Sequence, residues 1–187
     1  MAGYRINVRN CKRANVTSDT NAAYTLGTVV AMPTLRDVEI AFTTSSGTLY
    51  GDGEKVSEIS LITGATLKFG IDKLTQADKV ALLGVTKDSN GIISYKTTDK
   101  PPKVAIYFEV EHDDGGFEAT WLLVGKAQPI GLTAQQKEDN ITYSTETVNI
   151  DFVRRELDKT VIKMADTDDA DFTAVKQTAF AASPDIS

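Results

Sequence analysis

The sequence predicts a mainly-β protein: an antiparallel β-sandwich or barrel with one short flanking α-helix, an extended loop and terminal arms. Three observations carry that expectation. Apolar residues alternate with polar ones at period two along several segments, which in an extended chain places them on one face. Two apolar runs flank a short Asp/Gly segment, as in a hairpin. A helical period is clear in one segment only.

Residues 1–20 form an N-terminal arm, and residues 21–165 a single domain. Val38, Ile40 and Phe42 alternate with Asp37, Glu39, Ala41 and Thr43 in a first strand. Residues 44–58 hold Ser45-Ser46-Gly47 and Tyr50-Gly51-Asp52-Gly53-Glu54, a flexible composition that predicts a long loop. Ile59, Leu61, Thr63, Ala65, Leu67, Phe69 and Ile71 then share one face of a long half-buried strand. Residues 75–84 read as a helix. Thr75 can cap the first turn, Asp78 stands at the capping-box spacing, and Gly84 suits the C′ position. Residues 104–111 and 117–127 are the two arms of a hairpin around His112-Asp113-Asp114-Gly115-Gly116. Val148, Ile150 and Phe152, opposed by Asn149 and Asp151, give another strand, and residues 160–164 one more. A weaker helical turn starts at Thr133, and residues 166–187 form an acidic tail.

A chain of 187 residues with 41% hydrophobic and 25% charged residues has the composition of an ordinary folded domain. The start lacks an apolar h-region, so no signal peptide is expected, and no stretch is long and apolar enough for a membrane helix. A net charge of −6 argues against general nucleic-acid affinity, which clustered Lys and Arg drive. The charge is uneven. Residues 1–20 carry Arg5, Arg9, Lys12 and Arg13 against Asp19, while residues 156–187 carry seven acids against three lysines. Two solvated ends explain this, as does a basic arm meeting an acidic surface on a neighbouring subunit.

Residues able to support catalysis are few. His112 sits at a hairpin tip beside Asp113 and Asp114, where an exposed turn residue is expected rather than an oriented base. Cys11 adjoins Lys12 and Arg13, charges that could lower its pKa, but a terminal arm offers no pocket. The acidic run from Asp166 has Asp171 where a calcium loop needs glycine, and Gln177 where it needs a bidentate Glu. One cysteine and one histidine exclude a Cys/His zinc site. The Gly-rich Tyr50-Gly51-Asp52-Gly53 lacks the Gly-Lys-Ser/Thr of a phosphate loop. Trp121 lies within an apolar strand and is expected in the core. The expectation is a non-enzymatic protein without metal or cofactor.

The order of features is nonetheless specific. A strand near Val38 leads to Leu49-Tyr50-Gly51-Asp52-Gly53-Glu54, then to the strand from Ile59 to Ile71 and to Asp72-Lys73-Leu74. There follow Leu82-Leu83-Gly84, Asn90-Gly91-Ile92-Ile93, Pro101-Pro102-Lys103-Val104-Ala105-Ile106, Trp121-Leu122, Lys126-Ala127 and Asn140-Ile141-Thr142-Tyr143. Over roughly residues 35–155 this order resembles the major tail protein, or tail tube protein, of bacteriophages with long non-contractile tails.

That resemblance implies a β-sandwich with a flanking helix, like the tubes of contractile tails and of type VI secretion. It implies a virion protein, assembled in the host cytoplasm, whose hexameric rings stack into a tube that conducts DNA during ejection. Its partners would be further copies of itself, the tail-tip or baseplate initiator, the tape measure and tail terminator proteins, and double-stranded DNA in passage, with no membrane. Residues 44–58, with Tyr50, Gly51, Asp52, Gly53 and Glu54, would join ring to ring. A lumen that lets DNA pass should be neutral or acidic, which makes Asp37, Glu39, Glu109, Glu111, Asn149 and Asp151 candidates for its wall. Arg5, Arg9, Lys12 and Arg13 are candidates for arm contacts. The alternatives are a tube protein of a contractile tail or type VI-like system, or an isolated β-sandwich binding module.

Overall fold

Most of the chain enters one antiparallel hydrogen-bonded network, seen in a computed structural model that describes residues 3–32, 34–51, 54–131 and 145–166, with side chains outside 49–57. In chain order the elements are β1 (Arg5–Asp19), β2 (Tyr24–Leu26), β3 (Val30–Ala31), β4 (Leu35–Gly51) and β5 (Glu54–Ile71). Then come α1 (Gln76–Leu83), β6 (Thr86–Lys87), β7 (Ile93–Ser94), β8 (Val104–His112), β9 (Phe117–Ala127), β10 (Glu146–Val153) and β11 (Ile162–Asp166). The main sheet runs β2-β1-β8-β9-β10-β5-β4, with β3 also on β1 and β11 also on β9.

The layers part at β9. Its residues Glu118 to Leu122 pair with β11, whereas Val124 to Ala127 pair with β10. One strand therefore belongs to both layers: β2-β1-β8-β9-β11 on one side, and the end of β9 with β10-β5-β4 on the other. The result is a mainly-β sandwich with one short helix, and not a closed barrel.

Alternation fills the space between the layers. Ala65, Leu67, Phe69 and Ile71 of β5 and Val148, Ile150 and Phe152 of β10 are all buried, and meet Val104, Ile106 and Phe108 of β8. The opposite face of β8 and β9 is covered too. Tyr107, Trp121, Leu123 and Ala119 pack there with Tyr24, whose hydroxyl donates to the Leu123 carbonyl at 2.6 Å. With both faces covered, these two strands read as continuous apolar runs, as expected of interior strands.

The helix closes one end. Thr75 accepts from the Asp78 amide, and the Asp78 side chain accepts from the Thr75 amide. Gly84 takes φ 68°, and a side chain there would strike the Lys100 carbonyl. The buried face is Leu74, Asp78 and Leu82, with Leu83 and Val85, so Ala77 is left exposed.

Three expectations need correction. The N-terminal segment is no free arm: β1 pairs antiparallel with β8 from Arg5↔His112 to Asn15↔Val104. His112 is buried at 8% exposure because β1 runs alongside it. Residues 44–51 and 54–58 are not a loop, since β4 and β5 remain paired out to Gly51↔Glu54. Asp52 and Gly53, the turn expected at Thr133, and the tail beyond Asp166 lie outside the described residues.

Candidate functional site

The β4–β5 hairpin outgrows the sandwich. β10 accompanies β5 only from Ile71 to Gly64, so beyond Gly64 the hairpin continues as a two-stranded ribbon. Its eight β4 residues, 44–51, span about 25 Å at about 3.4 Å per residue. A bulge marks the root: Thr43 pairs with Gly64 and Thr44 with Ile62, leaving Thr63 extra.

That extra residue reverses the phase of β5. Cross-strand partners share a face, so Phe42 and Ala65 look inward while Ser45 with Leu61 and Gly47 with Ile59 look outward. Ile59 and Leu61 therefore leave the row of Ala65, Leu67, Phe69 and Ile71 to which the sequence assigned them. They are 61% and 63% exposed, and Ile62 on the other side of the ribbon is 59% exposed. A bare hairpin is marginal in water, and this one carries apolar side chains on both faces.

The outward face of the β4–β5–β10 layer is polar. Asp37, Glu39 and Asp151 are exposed there and Asn149 is half-buried. Glu39, Lys68 and Asn149 form one cross-strand row, and Thr66, Asp151 and Lys126 another. Lys68 lies 3.6 Å from Glu39. Asp151 accepts from the Thr66 hydroxyl at 2.9 Å and from the Gln128 amide at 2.7 Å. Four of the six lumen candidates thus share one solvent-facing surface. Lys68, Lys126 and Gln128 belong to that surface and were not singled out from the sequence, although strand parity places them there.

Glu109 and Glu111 belong to the other layer. Glu109 is 1% exposed, which corrects its assignment to an open wall. It accepts from Tyr107 Oη at 2.7 Å, Arg9 Nε at 3.2 Å and Asn10 Nδ2 at 2.6 Å. A bulge in β1 makes this convergence possible: Arg9 pairs with Glu109 and Lys12 with Tyr107, and Asn10 takes φ 54° between them. Burial, followed by the Glu109 contact, pushes the Tyr107 phenol well above its usual range. Glu111 is half-buried and accepts from Arg9 Nη1 at 3.1 Å.

The basic residues expected to reach a neighbour are engaged within the chain. Arg5 pairs with Glu118 at 2.8 Å. Arg13 and Asp78 form a buried ion pair at 2.8 Å. Lys12 lies 5.5 Å above the Tyr107 ring. Cys11 sits inside the fold, and burial together with the Asp78 charge pushes its thiol up to about 12. Flanking cations therefore do not activate it. Among the described residues no group of three or more His, Cys, Asp or Glu is placed to hold a metal ion. No described helix is long and apolar enough to cross a membrane.

These features define a β-sandwich with a projecting apolar ribbon and a polar outer sheet face. No protein-family model matches the chain, and no curated protein sequence matches it.

Proposed function

We propose that this chain is the subunit of a phage tail tube, forming hexameric rings that stack into a conduit for DNA. The observation that carries the reading is the β4–β5 ribbon, which displays Ile59, Leu61 and Ile62 to solvent beyond the edge of the sandwich. Apolar side chains on an unsupported ribbon are stabilised when a neighbouring subunit covers them, and the ribbon lies where the resemblance places the contact between rings. Two further features agree. Among the described residues, the outer face of the β4–β5–β10 layer carries three acids and two lysines without a cationic cluster, suiting a wall that DNA must pass without sticking. The outer edge of β4 carries no described strand, which leaves a row of backbone groups available to another chain.

Electron microscopy of the purified protein, alone and with a tail-tip initiator, tests the reading. Rings or tubes with a central channel are the expected result. A protein that stays monomeric at high concentration in both conditions overturns it.

A further inference from the structure

Between β4 and the ends of β1, β8 and β11 the two layers leave an open groove of about 580 Å3. Pockets that bury an apolar ligand have volumes of about 300–1,000 Å3. One wall is the inward face of β4, with Val38, Ile40 and Phe42, and the other carries Ile6, Val110 and Met164. The groove is therefore apolar on two sides. Ile6, Phe42 and Met164 leave about half or more of their surface to water.

The β4–β5 ribbon has the matching character. Among its described side chains, Ile59 and Leu61 stand on one face and Ile62 on the other, each more than half exposed. An element that is apolar on both faces suits a groove that is apolar on both walls. The groove of the same chain is out of reach, because Phe42 stands on its lip one residue before the root of the ribbon. Ile59 pairs with Gly47, five residues past Phe42, so it lies about 17 Å further out at about 3.4 Å per residue. A paired ribbon does not double back on its own root without breaking its ladder.

We infer that the groove receives the β4–β5 ribbon of a second copy of this chain, with Ile59, Leu61 and Ile62 covered between its two walls. The size of the contact fixes the kind of association. Aliphatic side chains this exposed bury about 100 Å2 each, so the three bury about 300 Å2 and, with the matching groove surface, about 600 Å2 in total. Stable pairs bury about 1,200 Å2 or more. One such contact does not hold a dimer, whereas the same contact repeated around a ring holds by avidity. Ribbon and groove are different surfaces, so every copy gives one and receives one, and the array stays open at both ends. The inference rests on the tail-tube reading for that repetition, and it names the receptor of the ribbon and the polarity of the stack.

The test is disulfide trapping in the full-length protein carrying Leu61→Cys with Met164→Cys, or Leu61→Cys with Ile6→Cys. Each is oxidised at high concentration, alone and with a tail-tip initiator, and read by gel and mass spectrometry beside electron microscopy. Leu61→Cys with Tyr95→Cys, an exposed position outside the groove, is the control for random collision. All four side chains are at least half exposed, so the fold tolerates their replacement. Cys11 stays as it is, since it is buried with its thiol protonated. The expected result is a ladder of dimers, trimers and longer chains from at least one groove pair, several-fold above the control. A ladder without channelled tubes supports the contact and overturns the tail-tube reading. Tubes with no ladder above the control overturn the inference alone, and monomers without links overturn both. Intrachain links overturn it by returning the ribbon to its own groove, and dimers joined Leu61→Cys to Leu61→Cys by pairing ribbon with ribbon.

Discussion

Asp78 caps a helix and neutralises an interior arginine with the same carboxylate. One oxygen accepts from Thr75 and the other from Arg13 Nε at 2.9 Å. Asp78→Ala removes the cap and leaves Arg13 buried without its counter-charge, a loss of about 3–5 kcal/mol. Thr75→Ala loses the cap hydroxyl alone, about 1 kcal/mol. Urea denaturation of the two variants checks the difference, and comparable small losses would mean that water reaches the Arg13 pair. Acid sensitivity has another origin. Hydrogen bonds from Arg155 hold the Asp158 carboxyl well below the usual range, against a smaller opposing effect of burial. Asp19 shifts the same way: burial raises it, and the Glu156 amide with Lys103 more than compensates. In both cases the folded state releases the proton more readily than the unfolded chain. The stabilisation is therefore complete above the ordinary carboxyl pKa of about 4 and declines as pH falls below it. Asp158→Asn should be less stable than the parent at pH 7 and show a shallower loss between pH values of about 4 and 2. Thermal melts across that range read this out, and parallel curves would remove Asp158 from the account.

At the level of elements, what the sequence disclosed and what it concealed have separate physical causes. Residues 65–71 and 148–152 alternate cleanly because one face of each strand meets the core and the other meets solvent. The capped helix was legible because Thr75, Asp78 and Gly84 act on their own backbone. The ribbon was not, since Ser, Thr and Gly have loop-like composition and become strand here by pairing with each other across the hairpin. The bulge at Thr63 was hidden more thoroughly: the odd-numbered alternation continues through it while the face changes. β1 was concealed because its partner β8 lies far along the chain and its own bulge breaks the period. Strand parity correctly put Asp37, Glu39, Asn149 and Asp151 on a solvent-facing side of their strands. Glu109 was misassigned because a polar alternate position can face a cluster of polar partners as well as water. The ribbon's side chains make a direct prediction. Ile59→Ser with Leu61→Ser should change monomer stability by no more than about 0.5 kcal/mol, as surface substitutions do, and should block tube growth. Deleting residues 47–54 should have the same outcome. Sedimentation and electron microscopy decide, and tubes of normal length from either variant would remove the ribbon from assembly.

For the whole molecule, the polar sheet face predicts how a tube would treat its cargo. Duplex DNA carries a negative charge about every 1.7 Å along its axis, so a cationic wall retains it by counterion release. Changing Asp37, Glu39 and Asp151 to Lys should leave assembly intact, because these side chains fill no core position. Ejection through such tubes should slow, most of all at low salt where screening is weak. Ejection kinetics measured over a series of ionic strengths check this, and parent-like rates at every salt concentration would place this face away from the DNA.

The pairing of β1 with β8 also sets a timetable for synthesis. β1 ends at Asp19 and β8 begins at Val104, so about 85 residues must be added before the first strand meets its partner. At about 5–20 residues per second this takes on the order of ten seconds. Throughout that interval Val8, Cys11 and Ala14 are without β8 beside them, whereas Val16 has its β2 partner Leu26 within ten residues. Arg5, Arg9, Lys12 and Arg13 punctuate residues 5–13, so that part of the waiting strand carries positive charges that oppose association with other nascent chains, whereas residues 14–18 carry none. Three of these side chains, Arg5, Arg9 and Arg13, thus have two uses in turn: charge on an unpartnered strand, and later ion pairs from β1 to Glu118, to Glu109 and Glu111, and to Asp78.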